Sequence, residues 1–115
     1  MATVLELLKK ANVVEDELWA VGLPKRNRSK LFAHMSELRY ISYKDQKIFI
    51  LRPEKNVFKI EKVFKKEDIK KIKVRYGSFF LSRVCVIKTD QVIFKIDITS
   101  HGKNMKKIKR KMMSL

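Results

Sequence analysis

Ile69-Lys70-Lys71-Ile72-Lys73-Val74-Arg75-Tyr76 alternates strictly from Lys71 onward, with Ile72, Val74 and Tyr76 on one side and Lys71, Lys73 and Arg75 on the other. A period of two marks a strand with one face in a core and one in water. The same habit extends in both directions. Towards the N-terminus, Val57 to Phe64 sets Phe58 and Ile60 against Lys59 and Glu61. Before it, Ile48-Phe49-Ile50-Leu51 in the stretch Lys47 to Arg52 fits a strand covered on both faces, and Leu38 to Tyr43 fits another. Lys44-Asp45-Gln46 and Pro53 to Asn56 supply the turn chemistry between them. Towards the C-terminus, Gly77-Ser78 breaks the run, Phe79 to Lys88 resumes it, and Thr89-Asp90 turns into Gln91 to Ile98, with Val92, Phe94, Ile96 and Ile98 in phase.

After His101-Gly102 the period becomes helical. Lys103 to Leu115 holds good helix formers without proline, and Met105, Ile108 and Met112 make a narrow apolar stripe. At the other end, Thr3 followed by Glu6 has the spacing of a capping box, and Val4, Leu7, Leu8 and Ala11 form one stripe. Three acids from Glu15 to Glu17 suit the first turn of a second short helix over Glu15 to Val21, stopped by Gly22 and Pro24. Trp19 has too much apolar area to stay wet and is expected to pack this segment on something larger. Pro24 to Lys30 is a polar connector, and Leu31 to His34 a short element of either type. The organisation expected is a single α+β domain. It comprises a helical segment over 1–24, a bent antiparallel sheet or barrel over 30–100, and a basic helix over 103–115.

That order, up to seven antiparallel strands closed by one amphipathic helix, resembles a pleckstrin-homology-like barrel. The resemblance is carried by Phe64-Lys65-Lys66-Glu67-Asp68-Ile69-Lys70-Lys71-Ile72-Lys73-Val74. It looks like the segment of bacterial pleckstrin-homology-like domains in which an acidic-Ile turn opens the middle strand of the second sheet. The shared pattern runs from Leu38 to Met113, and the family's first strand has no clear counterpart. The resemblance implies a binding module for lipid headgroups, peptides or proteins. Lipid-binding eukaryotic members use spaced basic residues in the first hairpin loop. Lys25, Arg26, Arg28 and Lys30 precede any assigned strand, so that site is not carried over to them.

Composition narrows the function. The chain of 115 residues is 45% hydrophobic, enough to bury one core, and holds no run of about 18 or more apolar residues. The N-terminal pattern lacks the uninterrupted apolar block of a signal peptide, so a cytoplasmic protein is expected. Net charge is +16, unevenly spread. Two lysines against four acids give −2 over residues 1–24, so the remaining 91 carry +18. Such self-repulsion is relieved by anions or acidic partners. Lysines that only solvate the surface and protect sheet edges are the plainer reading.

Catalytic apparatus is missing. His34 and His101 are 67 residues apart, the lone Cys85 lies among Val84, Val86 and Ile87, and the three glycines form no phosphate loop. Glu67 and Asp68 are adjacent carboxylates of a kind that cap turns. No enzyme activity, cofactor or metal is expected. The candidate anion-binding residues are Lys103, Lys106, Lys107, Lys109, Arg110 and Lys111 on the helix, with Lys71, Lys73 and Arg75 as a second stripe. Their expected partner is an anionic membrane surface, where each lysine contributes about 1 kcal/mol, or an acidic protein. A nucleic-acid-binding protein of a mobile element or regulator is the alternative, including a helix-turn-helix over residues 3–34. A third reading is an assembly module that forms homo-oligomers through a sheet edge or the N-terminal helix.

Overall fold

The computed structural model describes residues 3–24, 38–55, 57–76 and 83–113. Helix α1 spans Val4–Lys10. It is followed by strands β1 (Trp19–Pro24), β2 (Arg39–Lys44), β3 (Lys47–Glu54) and β4 (Val57–Lys65), a 3-10 turn at Lys66–Asp68, then β5 (Ile69–Tyr76), β6 (Arg83–Thr89), β7 (Ile93–Ser100) and helix α2 (Gly102–Met113). All seven strands join one antiparallel sheet in the order β4-β3-β2-β1-β7-β6-β5. In a flat sheet β4 and β7, four places apart, would be separated by about 19 Å at the usual strand spacing. Instead the rings of Phe64 on β4 and Phe94 on β7 have centroids 5.8 Å apart. The sheet therefore bends across itself.

Inside the bend lies the main core. The first half of the sheet contributes Ala20, Ile41, Ile48, Ile50 and Phe64, the second Ile72, Cys85, Ile87, Ile96 and Ile98, and α2 inserts Met105, Ile108 and Met112. The apolar stripe of the C-terminal helix is thus structural, as its phase requires. A second cluster occupies the outer face of the first four strands, where Leu8, Val13, Val14 and Leu51 pack with Val4, Leu5, Trp19, Tyr40, Phe49 and Phe58. Strand β3 is therefore covered on both sides, with Ile48 and Ile50 in one cluster and Phe49 and Leu51 in the other. Helix α1 docks on its own sheet. Its cap follows the expected spacing: the Thr3 hydroxyl accepts the Glu6 N–H at 3.1 Å and donates to the Glu6 carboxylate at 3.2 Å.

Residues 15–21 overturn the expectation of a second helix. Asp16 and Glu17 are left-handed, with φ of 53° and 55°, and Trp19 opens β1. Two forces decide it. A helix of seven residues gains little in isolation, whereas Leu18 and Ala20, two apart, both enter the main core when the chain is extended. Gly22 is consequently no helix stop. It sits at a register shift between β1 and β7, where a Cβ would lie 2.2 Å from the Asp97 carbonyl oxygen. This strand also removes the helix-turn-helix reading and supplies the first strand of the barrel. Among the described residues up to Pro24, the helical part is Val4–Lys10.

Elsewhere the boundaries move little. Asp45 and Gln46, with φ of 50° and 61°, make the two-residue hairpin turn between β2 and β3. In β4 the extra residue Glu61 shifts the register between Ile50 and Leu51, so Ile60 falls on the outer face and Phe64 on the inner. The Glu61 carboxylate accepts the Nε–H of buried Arg39 at 2.8 Å across β3. The expected element at Leu31 to His34, the Gly77-Ser78 break and the start of the strand at Phe79 lie outside the described residues.

Candidate anion-binding site

Helix α2 is held at both ends of its cationic face. The Asn104 side-chain amide donates to the carbonyls of Trp19 at 2.8 Å and Glu17 at 3.3 Å, which ties the first turn to β1. With Met105, Ile108 and Met112 buried, Lys103, Lys106, Lys107, Arg110 and Lys111 are left exposed and Lys109 half-buried. Lys111 is not without an acid as the helix sequence alone suggests. Its ammonium lies 3.5 Å from the Asp16 carboxylate and over the Tyr43 ring. The left-handed acidic turn thus meets the basic helix.

The other expected stripe lies on β5, the last strand of the sheet. Lys71, Lys73 and Arg75 are exposed on the face opposite Ile72 and Val74. Val74 turns towards α2, and with Lys106, Lys109, Arg110 and Met113 it lines a groove of about 780 Å³. Met113 gives this groove an apolar wall and is itself 43% exposed. Among the described residues no strand pairs with the second edge of β5. Three of the helix cations therefore stand on one side of that free edge, and the β5 stripe points to the other. Lys103, Lys107 and Lys111 lie outside the groove lining, and Lys107 and Lys111 line a neighbouring hollow with Asp16, Leu18 and Arg110.

Neighbouring charge leaves a mark on β5. The ammonium of Lys71, and after it that of Lys88, lowers the pKa of Lys73 below the ordinary lysine value. Lys88 escapes notice in the linear sequence because the register that places it opposite Lys71 is tertiary information. Cys85 behaves as a core residue, its thiol pushed up to about 12 by burial against an opposing effect of the Lys109 charge. Glu67 and Asp68 are exposed in the 3-10 turn. His101 stacks on Trp19 with ring centroids 4.0 Å apart, and Tyr40 lies against Trp19 and Phe58. His34, Phe79, Phe80 and the Tyr76 side chain are outside the described part of the chain. So are Lys25, Arg26, Arg28 and Lys30, but with β1 ending at Pro24 they follow the first strand in sequence.

No helix among the described residues is long and apolar enough to cross a membrane. No family model and no curated protein matches the chain. A solved structure titled "Autoinhibited Vav1" superposes on 99% of this chain and 20% of that one, with a TM-score of 0.57 and 12% identity. The chain thus spans about a fifth of that structure's length, and at this identity the likeness concerns the fold. Seven bent antiparallel strands, a C-terminal helix plugging the core and this superposition together make it a pleckstrin-homology-like α+β fold.

Proposed function

We propose that this protein is a non-catalytic binding module whose groove between α2 and β5 takes an acidic, extended segment of a partner protein. The observation that carries the reading is the free edge of β5 with cations on both sides of it. A segment added to that edge satisfies main-chain donors and acceptors along its length, and its alternate side chains face opposite ways. One set meets Lys106, Lys109 and Arg110 over the apolar contacts of Val74 and Met113; the other meets Lys71, Lys73 and Arg75. Alternating acidic and apolar residues fit the first set, and acidic residues the second.

Fluorescence anisotropy with a labelled peptide repeating Glu-Glu-Val-Glu, which places alternating Glu and Val on one face and Glu alone on the other, tests this. Lys106→Glu/Lys109→Glu/Arg110→Glu should weaken binding by roughly 10- to 100-fold, each exposed charge contact being worth about 0.2–1 kcal/mol and its reversal adding repulsion. Equal affinity for a scrambled peptide of the same charge would refute strand addition and leave charge alone. An anionic membrane surface is the second reading, supported by the exposed Met113 within the cationic helix and by the basic run that follows β1. Equal sedimentation with neutral and acidic vesicles would remove it. A gel shift across a salt series tests nucleic acid, for which absence of any shift at low salt is decisive. Light scattering tests homo-oligomers.

A further inference from the structure

The registers of β5, β6 and β7 generate a surface that no single strand reveals. Lys71 pairs with Lys88 and Lys88 with Ile93; Lys73 pairs with Val86 and Val86 with Lys95; Arg75 pairs with Val84 and Val84 with Asp97. Directly opposed residues share a face. The alternate residues Ile72, Cys85, Ile87, Ile96 and Ile98 fill the core, so these nine belong to the outward side. Four lysines and an arginine thereby surround the buried Val86. Neighbours lie about 5 Å apart across strands and about 7 Å along them. Lysine stems are long enough for the ammoniums of Lys71, Lys73 and Lys88 to converge on one point.

The cluster is uncompensated. Among the described residues Lys70 pairs with Asp90 and Lys111 with Asp16, yet no carboxylate pairs with Lys71, Lys73, Lys88, Lys95 or Arg75. Asp97, the one acid among the nine, stands at the corner diagonal to Lys71. Like charges directly opposite each other weaken a sheet, and Lys73 responds to the crowding with a lowered pKa. A single carboxylate would neutralise one of three converging ammoniums. A phosphate dianion offers two charges and at least three acceptor oxygens on one tetrahedral centre, which suits three donors.

We propose that Lys71, Lys73 and Lys88 form a binding site for a dianionic phosphate group on the outward face of β5–β7, with Lys95 and Arg75 as flanking cations. The group is a soluble phosphate or the phosphomonoester of a lipid headgroup. Ile93, adjacent to Lys88 and 61% exposed, would meet the interface in the second case. The inference rests on the β5 stripe contacting anions, but it uses neither α2 nor the free edge of β5.

The test is a titration of the full chain with inorganic phosphate, followed by amide NMR, against sodium chloride at matched ionic strength. Saturable shifts confined to residues 71–73 and 86–88 are expected, with affinity falling about tenfold in Lys88→Gln and largely retained in Lys88→Arg. Identical shifts with chloride, or an unchanged affinity in Lys88→Gln, overturn the site. Sedimentation with phosphatidylcholine vesicles, with and without phosphatidic acid, assigns the source. Recovery on acidic vesicles that Lys88→Gln abolishes identifies a headgroup, and phosphate binding without vesicle recovery identifies a soluble anion. The groove variant Lys106→Glu/Lys109→Glu/Arg110→Glu should keep phosphate affinity while losing the peptide, so the two sites fail separately.

Discussion

Replacing Gly22 with Ala adds a single methyl group where β1 and β7 cross. That methyl would lie 2.2 Å from the Asp97 carbonyl oxygen, 2.8 Å from its carbon and 2.9 Å from the Ile98 Cα, all of them backbone atoms. No side chain can turn away, so the strands must part by about 1 Å, an overpacking that typically costs 1–3 kcal/mol. Parting them also weakens one or two ladder hydrogen bonds, each worth about 0.5–1.5 kcal/mol. Against this stands a gain of about 0.4–1 kcal/mol from the stiffer unfolded chain. Taken at the middle of these ranges, the net expectation is a loss of about 2–4 kcal/mol. A chain of 115 residues has an unfolding entropy of about 0.24 kcal/mol/K, so Tm should fall by roughly 8–17 °C. Thermal unfolding followed by circular dichroism reads this directly. Gly102→Ala is the control, because its Cβ would meet the Arg83 side chain rather than backbone, and its Tm should move far less. If Gly22→Ala melts within about 2 °C of the parent, β1 does not approach β7 as described and the strand reading of residues 19–24 is wrong.

Ile108→Ala should cost about 2–5 kcal/mol in urea unfolding, because Ile108 is wholly buried, whereas Lys107→Ala on the opposite side of α2 should stay within about 0.5 kcal/mol. Glu61→Gln should cost about 1–3 kcal/mol by leaving the buried Arg39 guanidinium without its carboxylate; the half-open side of Glu61 keeps the loss below that of a fully buried pair. Cys85 has a folded pKa raised to about 12, above its unfolded value of about 8.5, so its contribution to stability is complete below pH 8.5. That contribution falls as pH rises beyond it, at up to about 1.4 kcal/mol per pH unit. Cys85→Ala should flatten the slope between pH 9 and 11 in urea titrations, and an unchanged slope would refute the assignment.

The strand series from Arg39 onward was legible because alternation such as Ile72 and Val74 against Lys71 and Lys73 has no helical alternative, and because the doubly covered β3 reads as a short apolar run between turn residues. The stripe Met105, Ile108 and Met112 was equally clear. Residues 15–24 were misread because Glu15-Asp16-Glu17 carries the local signature of a helix start. Its acids instead serve tertiary contacts: the Asp45 N–H donates to the Glu15 carboxylate at 2.6 Å, and Asp16 meets Lys111. That error hid the first strand, and with it the place of the basic run that follows Pro24. The site was half legible. Its lysines could be named from the sequence, but Lys88 and Lys95 joined them only through register, and the groove of Val74 and Met113 only through the seating of α2.

The outer cluster on the first four strands has a consequence for how the molecule opens. Leu8, Val13, Val14 and Leu51 form a core that shares no residue with the one inside the barrel. Its remaining polar fastening includes the Ser42 hydroxyl, which donates to the Val13 carbonyl at 2.6 Å. Residues 3–14 are therefore expected to open as a unit of their own while the bent sheet keeps its inner core, and hydrogen exchange of their amides should run ahead of that of β5–β7. Lifting them would bring Phe49 and Leu51 into contact with water and uncover an apolar patch of the kind that promotes association.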